Sequence, residues 1–548
     1  MRRASPASPI RCSRNSKSCS AAAPEPLRRD TPPTEMTRAE TIALLGRLAE
    51  ALGLALLIPL AVALAHGEPA WLAFAAPAVL GLGVGALGRR FAPLIGRSGS
   101  STDGGRAYRF VVLAWCLCTL FGALPYVAEF GFGFVVNGLF ESASGFSTTG
   151  ATIFPEVEWL PRSLLLWRAM TQWLGGLGIL IIFVLLPGRR QWGVDVLSAE
   201  APGPTAEKTE PKITETARDT VIVGSVLTAI LIAILLFLDV PAFDAVCHAF
   251  TTLATGGFST RDASVGAFDP AVQWVIIAFM VIGGMRFAIH IYEVKRIVAG
   301  ARRLWRRLRG GSWKRVGTAP AASYFSDPEL RLYIGVVAVS TGLLFLSLYL
   351  MGQGSMDGLR EAAFTAIAVI TTTGYSVVDY NQWSDFSRML VLVLMFAGGC
   401  AGSTAGSIKI LRWVILFRKV PLALRVATQP HTELRVHIGR RPVSLSLSST
   451  IGEVVLLFVF CAVAGALAIA AMGVDLLTAF SAAAAAVTNV GPGLGAVGPA
   501  ASYAHLPDAA KLILAVLMIA GRLEIVTVAV LLLSPIRTAR RRVRQALF

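Results

Sequence analysis

Four short polar turns interrupt an otherwise apolar chain: Ser147-Thr148-Thr149-Gly150-Ala151-Thr152, Ala254-Thr255-Gly256-Gly257-Phe258-Ser259, Thr371-Thr372-Thr373-Gly374-Tyr375-Ser376 and Thr488-Asn489-Val490-Gly491-Pro492-Gly493. Their glycines Gly150, Gly257, Gly374 and Gly491 are separated by 107, 117 and 117 residues, which argues for one unit repeated four times. Glycine beside threonine suits a particular chemistry. A potassium ion entering a narrow pore must shed its water, and rings of backbone carbonyls can replace that shell. Carbonyls that all face one axis require backbone angles a side chain would obstruct, hence the glycines. The main-chain oxygens of Thr148, Thr149, Gly150, Thr255, Gly256, Gly257, Thr372, Thr373, Gly374, Asn489, Val490 and Gly491 are the expected ion path. Potassium is then held by filter carbonyls alone, and no catalytic residue or resident cofactor is expected. A single Thr-Gly pair would read as a loop turn; four in register read as one site.

The elements that must position these turns are membrane helices. Of 548 residues, 55% are hydrophobic and 15% charged, and a helical span needs about 20 apolar residues. Ile222–Leu238, Leu332–Leu350, Val454–Met472 and Leu512–Leu533 meet or approach that length. Two spans come first, Thr41–Ala65 and Ala70–Gly88, joined by the turn His66-Gly67-Glu68-Pro69. Each polar turn then follows an apolar run too brief to span, such as Phe140–Phe146 or Ala362–Ile370, as a re-entrant helix would. Irregular backbone at membrane depth is tolerated only where protein or a water-filled cavity satisfies it, so the four turns should converge. The expected fold is an all-α integral membrane protein, with two N-terminal spans followed by four span, re-entrant pore loop and span units around a pseudo-fourfold pore. Its divisions are a disordered basic tail at 1–40, with Met36 an alternative start to Met1, a two-helix unit at 41–97, repeats at 105–190, 219–300, 328–420 and 447–536, and a basic tail at 537–548.

A net charge of +17 suggests nucleic acid until the charges are located. They gather between spans, at Arg189–Arg218, Lys295–Arg315, Lys409–Arg441 and Arg537–Arg544, while the alternate loops carry the acids. This is the positive-inside pattern and puts both termini in the cytoplasm, with a lipid bilayer as partner and no nucleic acid. The seven cysteines lack metal or disulfide spacing and read as packing residues, as does His248. Glu141, Asp244 and Glu361, in or near the re-entrant helices, either attract cations at the outer mouth or are ordinary surface carboxylates.

Two features lie beneath the turns. Gly398-Gly399-Cys400-Ala401-Gly402-Ser403-Thr404-Ala405-Gly406-Ser407 would break its span into a flexible segment, unless it marks a close helix crossing of small residues. Arg522 sits in the last apolar span, where an arginine costs about 2.5–3.5 kcal/mol; Glu524, two positions on, does not share its helix face.

Several of these stretches together carry a family likeness: Thr171-Gln172-Trp173-Leu174-Gly175-Gly176, Ala199-Glu200-Ala201-Pro202-Gly203-Pro204, Thr214-Glu215-Thr216-Ala217, Gly399-Cys400-Ala401-Gly402-Ser403-Thr404 and Asn489-Val490-Gly491-Pro492-Gly493. From about Thr41 to Pro535 the chain resembles the Trk/Ktr/HKT superfamily of cation transporters, and within it the TrkH/KtrB branch. The resemblance implies potassium uptake in a bacterial cytoplasmic (inner) membrane, and glycine in all four turns goes with potassium selectivity in that family. It also implies a gating loop at Gly398, Gly399, Gly402, Ser403, Thr404 and Gly406, with Arg522 projecting under the filter as a barrier to cations. Ala405 and Ser407 stand where relatives often have glycine, so a stiffer loop is expected; Arg286 stands where a polar uncharged residue is expected. Relatives assemble as homodimers on a cytosolic nucleotide-binding ring of TrkA or KtrA type. The competing transport reading is a proton- or sodium-coupled potassium symporter of the same fold, which should show membrane-buried carboxylates along the path. A polytopic membrane enzyme would need a catalytic cluster on facing helices, and none rises above scatter.

Overall fold

The computed structural model describes residues 38–91, 106–184, 210–308, 327–428, 436–438, 441–442, 445–525 and 527–528. The expected tails (1–37 of the first, all of the last), the motif Ala199–Pro204 and the basic stretches 189–208 and 309–326 lie outside the described residues.

Two long helices come first, α1 (Arg38–His66) and α2 (Trp71–Phe91). Small residues let their backbones touch: a Cβ on Gly81 would stand 2.8 Å from the Ala49 carbonyl oxygen, the close approach that membrane helices use in place of hydrophobic drive. The turn between them does a second job. Glu68 accepts from the amides of Arg162 and Ser163 at 2.9 and 3.2 Å, capping α5 (Arg162–Val184) where its first amides lack helical partners.

The remaining helices fall into sets of long, short and further helix. These are α3 (Arg106–Phe130), α4 (Val135–Phe146) and α5; then α6 (Glu210–Phe237), α7 (Ala242–Leu253) and α8 (Pro270–Gly284), which continues after a break as α9 (Phe287–Leu308). The third set is α10 (Pro328–Leu350), α11 (Met356–Ile370) and α12 (Asp385–Leu394), continued by α13 (Ile410–Thr428). The last is α14 (Leu445–Ala470), α15 (Leu476–Thr488) and α16 (Asp508–Arg522). The short helices have 12, 12, 15 and 13 residues, too few to cross a bilayer. A two-residue antiparallel pair, His437–Ile438 with Arg441–Pro442, is a small departure from the all-α expectation.

Among the described residues six helices are long and apolar enough to cross a membrane, or seven with the bent pair α8 and α9. The shortfall against the expected spans lies in the last helix of each set. The sequence reading drew one interrupted span, at 398–407, but three are interrupted. α8 stops at Gly284 and the chain turns by 103° into α9. α16 stops at Arg522, because Glu524 and Ile525 adopt left-handed φ of 58° and 52°. The span expected to run through Leu512–Leu533 is therefore interrupted inside its apolar stretch, and Thr527 and Val528 are helical again. That turn lets Glu524 pair with Arg412 of α13, so both ions are neutralised where each alone would be costly.

Candidate functional site

All four short helices end the same way. Thr148, Thr255, Thr372 and Asn489 take φ of 55°, 53°, 55° and 57°, and two residues later Gly150, Gly257, Gly374 and Gly491 take 83°, 79°, 73° and 99°. The intervening amides of Thr149, Gly256, Thr373 and Val490 donate back to the helix at Ser144, Thr251, Ala368 and Ala485, at 2.9, 2.9, 2.8 and 2.9 Å. A left-handed residue closing a helix is ordinary when it is glycine. A β-branched threonine there costs about 1–2 kcal/mol, and strain of that kind persists where the surroundings over-determine it. Here it is present three times with threonine and once with asparagine, whose short polar side chain tolerates it better.

The four turns meet. A Cβ on Gly150 would lie 2.2 Å from the Gly256 oxygen, one on Gly257 1.9 Å from that of Thr373, one on Gly374 1.8 Å from that of Val490, and one on Gly491 2.5 Å from that of Thr149. The contacts run from first turn to second, third, fourth and back to first. A cavity of about 90 Å³ opens beside them, lined in part by Gly150, Gly257, Gly374 and Pro492.

A second closed ring holds the segments that follow the turns. Arg168 donates to the Ser259 carbonyl at 3.1 Å, the Gly266 amide to the Ser376 carbonyl at 3.2 Å, Asn381 Nδ2 to the Gly495 carbonyl at 3.1 Å, and the Tyr503 amide to the Thr152 carbonyl at 2.9 Å. The helices aim their C-terminal ends, which carry partial negative charge, at the convergence point. Two side-chain oxygens there, Thr148 Oγ1 and Asn489 Oδ1, are buried without a hydrogen-bond partner. Such atoms are rare in folded proteins and call for an explanation, an ion among them.

The segment 398–407 lies directly under the turns. Thr404 Oγ1 donates to the carbonyls of Leu253 and Gly283, both at 3.1 Å, and the Gly406 amide to Thr372 Oγ1 at 2.8 Å. A Cβ on Gly406 would stand 2.8 Å from the Thr488 oxygen. Arg522 Nη1 donates to the Thr404 carbonyl at 2.6 Å and Nη2 to that of Gly175 at 3.3 Å. The chain thus brings Thr404, Gly406 and Arg522, all singled out from sequence, to one place. Ser407, read there as a stiffening replacement for glycine, adopts φ 63°.

The roles of Gln172 and Tyr503 came into view only with the structure. Gln172 grips the second turn, its Nε2 donating to the Gly256 carbonyl at 2.6 Å and its Oε1 accepting from the Phe258 amide at 3.0 Å. Tyr503 donates its hydroxyl to the Gly491 carbonyl at 2.7 Å. Glu141 is not a surface carboxylate: it is fully buried, 2.8 Å from Arg168, and accepts from Thr152 Oγ1 and the Ile153 amide, both at 3.0 Å. Asp244 accepts from Thr260 at 2.7 Å and from Arg261 at 2.6 Å. His248 bonds the Asp244 carbonyl and Ser259 Oγ, at 2.8 and 3.0 Å, in the packing role read from sequence. Gln172 sits in a stretch already notable for its likeness; the other partners lie far apart in the chain and leave no local signal.

Known proteins share this architecture. Residues 105–536 match the family model TrkH, described as "Cation transport protein". The chain is 35% identical over 433 residues to the Trk system potassium uptake protein TrkH of Salmonella typhimurium, covering 77% of this chain and 84% of that one. It is 33% identical over 497 residues to the TrkH of Halomonas elongata, covering 89% and 97%. The crystal structure of the potassium transporter TrkH from Vibrio parahaemolyticus superposes with a TM-score of 0.77 at 29% identity, covering 91% of this chain and 99% of that one. The matched length, the shared fold and the apolar helices together make this chain a multi-pass membrane protein belonging to the TrkH family of cation transport proteins.

Proposed function

We propose that the chain is the potassium-conducting subunit of a Trk-type uptake system, with the four turns as its selectivity filter. One observation carries this reading: the closed sequence of glycine-to-carbonyl contacts from Gly150 through Gly257, Gly374 and Gly491 back to Thr149. The alternation of left-handed residues stacks main-chain oxygens along a shared axis, where they stand in for a hydration shell. The two orphaned oxygens of Thr148 and Asn489 lie at the inner end, where helix C-termini favour a cation. The driving force is the membrane potential, worth about 2.3 kcal/mol per charge per 100 mV.

In this reading 398–407 is the gate, and the state described is closed. Thr404 and Gly406 sit under the filter, and Arg522 is fixed beside them as a positive charge on the ion path. The protein resides in the cytoplasmic membrane with both termini inside, works as a homodimer, and is opened by a cytosolic nucleotide-binding ring that pulls on the gate. The basic residues gathered between the spans offer a cytosolic partner its docking surface.

Rubidium and sodium uptake into liposomes carrying the purified full-length chain tests the filter. Rubidium flux well above sodium flux is expected. Equal fluxes would overturn the assignment of the four glycines to a potassium filter.

A further inference from the structure

Outside any helix, the elbow between α8 and α9 lies beside the first leg of the gating segment. The Cys400 amide donates to the Gly284 carbonyl at 2.9 Å and the Phe287 amide to the Gly402 carbonyl at 3.1 Å. Ala401 lies between these bonds, and both of its main-chain polar groups end on side chains. Its amide donates to Glu329 Oε1 at 2.6 Å, and its carbonyl accepts from Arg286 Nε at 3.2 Å. Arg286 and Glu329 are themselves an ion pair, and Arg286 Nη1 lies 3.6 Å from Asp327. Glu329 is buried, with only 4% of its surface exposed. Asp327, the cap of α10, accepts from the Glu329 amide at 2.8 Å and so fixes where that carboxylate starts.

A buried carboxylate that loses its cation is costly, so the pair resists any movement that parts its members. Ala401 is held by both members at once. It cannot move toward solvent without giving up two charge-assisted bonds, which are the stronger kind. Three residues further on is Thr404, the residue Arg522 touches. Arg286 stands at the head of α9 and Glu329 at the head of α10, so the two helices meet the gate through one ion pair.

We propose that Arg286 and Glu329 are positioning residues of the gate: their ion pair is a latch on Ala401 that holds 398–407 in the occluding position. A displacement of α9 relative to α10 separates the two charges and so releases it. This rests on the gating role given to 398–407 above, and it assigns Arg286 a task that local sequence does not.

The test is basal rubidium uptake by proteoliposomes of the full chain, with no cytosolic partner present. Glu329→Gln, Arg286→Gln and the double variant are compared with Arg522→Ala, which reports on the gate itself. Each single substitution is expected to raise basal uptake about tenfold, within the usual span of coupling between sites. The double variant should rise no further, because both changes remove the same interaction. The rubidium-to-sodium ratio should stay at its original value, since no filter residue is touched. Arg286→Lys keeps the charge but loses the Nε bond, and an intermediate leak is expected; if a glutamine variant fails to fold, this one decides. Unchanged uptake in the latch variants alongside a leaky Arg522→Ala overturns the latch and leaves the gate standing. Unchanged uptake in Arg522→Ala as well overturns both. Lost ion discrimination, or an additive double variant, also overturns the latch.

Discussion

Gln172 and Gly256 belong to different sets of helices, yet the side chain of the first donates to the carbonyl of the second at 2.6 Å. The same amide group accepts from Phe258 at 3.0 Å, so one residue of α5 brackets the second turn across Gly257. Gln172→Leu leaves a buried donor and a buried acceptor unmatched, costing about 1–3 kcal/mol each. The expected result is a loss of discrimination between rubidium and sodium, with uptake still under control of the gate. Gln172→Glu keeps the acceptor and loses the donor, and should lie between the two. Paired flux measurements in liposomes check this: an unchanged ion ratio in Gln172→Leu would mean that Gly256 needs no brace.

The turns were legible in the sequence because they depend on main-chain geometry. Glycine at a fixed offset from a helix end, repeated with nearly constant spacing, is a local signal, and so is a helix too short to span. The interruptions at Met285-Arg286 and Leu523–Ile525 were not legible, since each has only one or two charged residues in a stretch whose hydropathy reads as continuous. What breaks those helices is tertiary: Arg286 turns toward Glu329, and Glu524 toward Arg412, 112 residues away. The partner of Glu141 was not legible for a related reason, because a carboxylate in an apolar run looks alike whether it faces water or a buried arginine.

Replacing the four glycines separates backbone strain from contact. Gly374→Ala would set a methyl 1.8 Å from the Val490 oxygen at φ 73°. Gly67→Ala, in the turn after α1, has φ 64° with nothing within 4 Å, and so carries the strain of about 1–2 kcal/mol alone. Gly67→Ala should keep its rubidium uptake. Alanine at Gly150, Gly257, Gly374 or Gly491 should each abolish it or erase the preference over sodium. Equal behaviour of the Gly67 and filter variants in the flux assay would show that strain, and not the ring of contacts, matters.

The Glu141–Arg168 pair sets a stability prediction. Both side chains are sealed from solvent, at 0% and 2% exposure, and removing one partner strands a charge at a cost of about 3–5 kcal/mol. Glu141→Leu and Arg168→Met should each lower the thermal unfolding midpoint in detergent sharply, while the double variant recovers most of the loss. If the double variant is as unstable as the sum of the singles, the hydrogen bonds to Thr152, Ile153 and Ser259 carry the stability and the ion pair does not.

Arg522 makes its contacts through the forked guanidinium, donating to Thr404 at 2.6 Å and to Gly175 at 3.3 Å. Two roles are separable here, a fixed positive charge on the ion path and a stitch between α16 and the gate. Lysine keeps the charge but has no planar fork to reach two carbonyls in fixed geometry. If the charge is the barrier, Arg522→Lys should leak little and Arg522→Gln strongly, by about the five- to 150-fold typical of coupled sites. If the stitch matters, lysine and glutamine should leak alike. Basal rubidium uptake of the two variants, measured without a cytosolic partner and normalised to reconstituted protein, decides between them. The charge role is the expected one, because Thr404 is held independently by its own hydroxyl to Leu253 and Gly283 and would keep its place when the guanidinium is lost.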